Sequence, residues 1–116
     1  MRPHTPGPWR IGKGAIDYGA VVSDISPNPR RLEAEKADEK AAYGGYVIAE
    51  SITRNNLPLI AFAPELLQAC EDAVTILSAC TEVQDPRTVQ GLVWQANLRL
   101  KYALDELEGL EHEVTE

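Results

Sequence analysis

Apolar residues in the second half of the chain recur alternately four and three positions apart. One series runs through Leu59, Ala63, Leu66, Cys70, Ala73, Leu77 and Cys80, a second through Val89, Val93, Ala96, Leu100, Ala103, Leu107 and Leu110. This is the seven-residue repeat of helices packed along a narrow seam. The link between them, Thr81-Glu82-Val83-Gln84-Asp85-Pro86, is short, with Asp85 placed to cap the next helix and Pro86 to open it. Short links make helices antiparallel neighbours, so residues 54–110 predict a helical hairpin. Proline inside a helix removes a hydrogen bond and clashes with the turn before it. Asn55 to Ala63 is therefore expected as a separate turn or short helix, with Pro64 opening the main helix and Glu65 favourably placed in its first turn.

The last helix carries a second apolar stripe. Trp94, Leu98 and Tyr102 recur every fourth residue, on a face well over ~90° from the Val93–Leu100–Leu107 seam at about 100° per residue. Either the sheet covers this stripe, or it forms an interface with another copy or a partner, where aromatic residues are enriched.

Before residue 53 the pattern changes. His4-Thr5-Pro6-Gly7-Pro8-Trp9 is a stiff lead-in, since each proline fixes its own φ and restricts its predecessor. It feeds a short strand, Trp9–Ile11. Residues 15–25 (AIDYGAVVSDI) predict a second strand with Ile16, Tyr18, Ala20 and Val22 on one face, and residues 46–52 (YVIAESI) a third. Between them, residues 30–42 hold good helix formers but only Leu32 as a large apolar side chain, which predicts a mobile arm or a short exposed helix. The expected architecture is a single α+β domain: a small antiparallel sheet of about three strands, then a two-helix antiparallel hairpin packed on it. An acidic tail over residues 111–116 closes the chain.

The chain is 116 residues long, a length that suits one domain. Its 11 Lys and Arg against 18 Asp and Glu give a net charge of −7, which argues against non-specific DNA binding. No apolar run approaches the ~20 residues of a membrane span, and the first residues lack a signal-peptide core. Cys70 and Cys80 fall on one predicted helix about 15 Å apart, too far for a disulfide. They are expected as free, buried, small hydrophobes. No metal-ligand spacing, phosphate-binding glycine loop or nucleophile motif is present, and His4 and His112 lie near opposite ends. We therefore expect no enzyme, cofactor or metal.

Charge is uneven along the chain. Residues 1–31 carry Arg2, Arg10, Lys13, Arg30 and Arg31 against Asp17 and Asp24, whereas residues 104–116 carry six carboxylates and no Lys or Arg. The basic half predicts a candidate anion site. Arg10, Lys13, Arg30 or Arg31 would pair with phosphate, Trp9, Tyr18, Tyr43 or Tyr46 would stack on a base, and Gly12, Gly14, Gly44 and Gly45 would let backbone N–H groups approach. The ligand would be a small nucleotide held between subunits of a homo-oligomer.

Two blocks of sequence carry a resemblance. His4-Thr5-Pro6-Gly7-Pro8-Trp9 and the run Asn56 to Glu71 (NLPLIAFAPELLQACE) resemble, in the same order, a group of small phage and prophage proteins. The commoner wording in that group before the proline is Asn-Ala-Arg-Leu-Ile-Ala-Ala-Ala, from which Leu57-Pro58 and Phe62 depart. The resemblance implies a phage or prophage origin, a location in the host cytoplasm and a strand-then-helix layout; it brings no catalytic residues. It also implies an accessory protein that binds a host or phage protein, or a nucleotide, to interfere with a host process such as anti-phage defence. The alternative is a structural or assembly component of the phage particle.

Overall fold

The structure is a computed structural model that describes residues 4–28 and 30–115. Three strands, β1 (Trp9–Ile11), β2 (Tyr18–Ser23) and β3 (Tyr46–Thr53), form one antiparallel sheet in the order β1-β2-β3. Helix α1 (Glu33–Tyr43) lies between β2 and β3. After a 3-10 turn at Arg54–Asn56 come α2 (Leu57–Ala61), α3 (Ala63–Ala79), a second 3-10 turn at Cys80–Glu82, and α4 (Pro86–Thr115). Sheet, hairpin and the break before Pro64 are as the patterning predicts.

The second strand departs from its expected alternation. Ala20, Val21, Val22 and Ser23 are all buried, while Ile16, Tyr18 and Ile25 are exposed. β2 is the central strand and is covered on both faces, so burial tracks its position in the sheet rather than a period of two. On one face Val21 packs with Leu57 and Ala61 of α2, flanked by Trp9, Ile11 and Ile48. On the other, Val22 occupies the space left by Gly12 and Gly45, where a Cβ would lie 3.1 and 2.9 Å from its methyl groups. The pairing of β2 with β3 shifts register twice, between Gly19 and Val21 and between Val21 and Val22. Ser51, in the first irregularity, sits at φ 59°.

Of the two forms open to residues 30–42, the structure shows the exposed helix. α1 has no buried residue. It is tied down through Glu39, whose carboxylate accepts the backbone N–H of Val47 in β3 and also pairs with Arg31. Gly44, at φ 80°, ends the helix with its N–H donated to the Lys40 carbonyl.

α3 and α4 pack along their length, in a contact as extensive as that between β2 and β3. The inner face of α3 holds Leu66, Ala69, Ala73, Ile76 and Cys80, of which Ala73 is fully enclosed. The expected Leu59, Cys70 and Leu77 are exposed instead. On α4, Leu92 rather than Val93 turns inward, beside Ala96, Leu100, Ala103, Leu107 and Leu110. Because α3 and α4 are apolar over more than one stripe, two phases of the same spacing compete. In the phase observed, alanines 69, 73, 96 and 103 lie toward the partner helix, where small side chains let the backbones approach closely. Cys70 is thus an exposed thiol, and Cys80 a half-buried one. α4 also continues through the expected acidic tail to Thr115.

The sheet is joined to the hairpin through α2 and the 3-10 turn before it, both of which touch α4, rather than by a hairpin face laid across the strands.

Candidate functional site

The entry segment and the start of α3, the two blocks that carry the resemblance, meet in space. A Cβ on Gly7 would stand 2.7 Å from Pro64 Cβ, so only glycine lets the lead-in rest on the proline ring that opens α3. His4, Pro6 and Gly7 line a shallow groove there with Pro64, Leu67 and Gln68. Trp9 is anchored in the same segment, donating Nε1–H to the Thr5 carbonyl at 3.2 Å.

The candidate anion-binding residues are placed as follows. Arg10 donates to the Gly44 carbonyl at 2.6 Å and pairs with Asp24 at 2.8 Å. Arg31 pairs with Glu35 and Glu39 of α1. Tyr43 donates its hydroxyl hydrogen to Glu50 at 3.0 Å, and the carboxylate holds that phenol above its ordinary pKa by accepting this hydrogen bond and by its negative charge. Arg30 is exposed on the bend before α1. Arg31 and Tyr43 do share one groove, between α1 and β3, with Glu35, Asp38, Glu39 and Glu50. The groove is acidic, and Arg31 is already neutralised in it. Two of the four candidate glycine N–H groups are engaged too: Gly12 donates to Ala20 and Gly44 to Lys40. The carboxylates of α1 and β3 were missed in sequence reasoning, because a charged exposed helix gives no sign of which carboxylate turns inward. Arg2 and Glu116, part of the charge asymmetry, lie outside the described residues.

The aromatic stripe lies elsewhere. Trp94 is 63% and Tyr102 60% exposed, with Leu98 half-buried between them along the helix. Taking buried Ala96 as the direction of α3, about 100° per residue places 94 and 98 at roughly 160° and 200°, away from the partner helix, and 102 at roughly 240°, turned toward one edge of the hairpin. The sheet does not cover this stripe. Tyr102 borders a groove between α3 and α4 whose other walls include Glu65, Asp72, Arg99 and Glu106. One carboxylate oxygen of Glu65 is buried without a hydrogen-bond partner.

Among the described residues no group of His, Cys, Asp or Glu could hold a metal ion, and no helix is long and apolar enough to cross a membrane. Comparison with curated proteins and with solved structures finds no match. A family model does match, over residues 1–106, and so takes in the Gly7–Pro64 junction, the sheet and most of the hairpin. The chain belongs to the family of Salmonella phage P22 protein Y8K6.

Proposed function

We propose that this phage protein is a non-enzymatic accessory factor that acts in the host cytoplasm by stoichiometric binding of a host protein, and that the process it interferes with is defence against phage. The observation that carries this reading is the Trp94–Leu98–Tyr102 stripe. Its two rings, Trp94 and Tyr102, are largely exposed, with no cover from the sheet, as binding hot spots are before a partner covers them. Neutralisation of Arg10 and Arg31 by internal carboxylates, and the acidic character of the groove beside Tyr43, favour a protein partner over an anionic nucleotide.

The test is affinity capture of the tagged chain from infected host cells, beside a Trp94→Ala/Tyr102→Ala variant. We expect a host protein at one-to-one stoichiometry with the wild type. Losing two hot-spot rings at about 2 kcal/mol each weakens such binding by roughly a thousandfold. Capture that ignores both substitutions overturns the reading. Co-sedimentation with intact virions would replace it by an assembly role. Heat released on titrating mono- and dinucleotides, and lost in Arg30→Ala/Arg31→Ala, would replace it by nucleotide sequestration.

A further inference from the structure

We infer that the flat side of the hairpin is a self-association surface, on which a second copy of this chain lays the same face to complete a four-helix bundle. Val74 (63% exposed) and Leu77 (42%) on α3, with Val93 (48%) and Leu104 (59%) on α4, are too exposed to be seam residues. At about 100° per residue, Val74 and Leu77 are rotated roughly 40–100° from the buried Ala73. Val93 and Leu104 are rotated by roughly 60–80° from the buried Ala96, in the same sense. In an antiparallel pair, equal rotations of the same sense fall on the same side, so these four side chains and exposed Cys70 form one surface. Residues rotated the opposite way, Glu65, Asp72, Arg99 and Glu106, line the groove on the other side. The exposed aliphatic side chains of the hairpin are thus gathered on one side, interrupted by Asn97, and Glu65, Asp72, Arg99 and Glu106 on the other.

The size of the uncovered surface fits a second copy. The chain exposes 8154 Å², whereas a folded monomer of its 12.7 kDa exposes about 6,200 Å². That excess of roughly 1,900 Å², carried by the whole elongated chain, leaves room for a two-fold interface of standard size, which removes about 800 Å² from each copy. The chemistry fits as well. The large apolar side chains of this surface are aliphatic, without the Trp, Tyr and Arg anchors of hetero-complexes, and homodimer interfaces are the more apolar class. Two-fold pairing is the commonest closed symmetry, and two such hairpins make a four-helix bundle.

Charge selects the orientation. On this side Glu108 and Glu111 lie at the end near the sheet, while the end near the tip carries Thr81 and Gln90. A two-fold axis perpendicular to the hairpins, which sets them antiparallel, keeps the carboxylates of the two copies apart. A head-to-head pair would oppose them.

The inference uses residues other than the aromatic stripe, so it stands or falls separately from the capture reading. The experiment is sedimentation equilibrium of the full chain with the rate of Cys70 modification by a thiol reagent, in wild type and in Val74→Glu/Val93→Glu. Both substituted positions are exposed in the single chain, and unchanged helical circular dichroism verifies the fold. We expect wild type at twice 12.7 kDa, with Cys70 modified more slowly as concentration rises, and the variant at the single-chain mass with Cys70 uniformly reactive. A single-chain mass for wild type at all concentrations overturns the inference. So does a dimer that survives the glutamates but dissociates in Trp94→Ala/Tyr102→Ala, which would give the stripe, not the flat side, to the second copy.

Discussion

Ser51 occupies the left-handed region at φ 59°, where a non-glycine residue costs about 1–3 kcal/mol. It does so because β3 carries more residues than β2 between the pairs Gly19–Ile52 and Val21–Ala49, and the surplus is absorbed as a bulge. Glycine adopts this conformation freely, though it gives up more chain entropy on folding. Ser51→Gly should therefore raise the unfolding free energy by about 0.5–1 kcal/mol, and Ser51→Val should lower it by about 1–2 kcal/mol. Urea titration followed by circular dichroism measures both. A drop for Ser51→Gly would mean that the Ser51 side chain, not the bulge geometry, matters at this position.

At the scale of elements, the start of α4 is the clearest single support. Asp85 accepts the Thr88 hydroxyl at 2.8 Å and the Arg87 N–H at 3.4 Å, while its carbonyl takes the Val89 N–H at 3.1 Å. These are the bonds of a helix N-cap. Asp85→Ala should destabilise the protein by about 1 kcal/mol, and Asp85→Asn by less, read from the same titration. Equal losses would mean that the charge, and not the cap, is what counts. The cap, the hairpin, the three strands and the break before Pro64 were legible because each rests on local chemistry. The phase of the seam was not. The series 66-70-73-77-80 and 66-69-73-76-80 are both apolar and share three members, so only the approach of α4 chooses between them. The same ambiguity hid the flat apolar side of the hairpin, since Cys70, Leu77 and Val93 were assigned to the seam. The aromatic stripe was visible because it repeats cleanly every fourth residue. The pairing of Arg10 with Asp24 and of Arg31 with Glu39 was not, for it depends on how β1, β2 and α1 come together in space.

The molecule as a whole is long and thin, 58 × 37 × 15 Å with a radius of gyration of 18.0 Å over Cα atoms, where a compact chain of this length has about 13 Å. Small-angle scattering of the Val74→Glu/Val93→Glu variant should give a value near 18.0 Å. A value near ~13 Å would show the hairpin folded back against the sheet. Its slender form follows from how the halves are connected. Leu57–Ala61 is a five-residue helix wedged between β2 and α4, and the hairpin reaches away from it. A force applied at the far tip acts on a lever more than twenty residues long, and its torque converges on Leu57, Pro58 and Ala61, all buried.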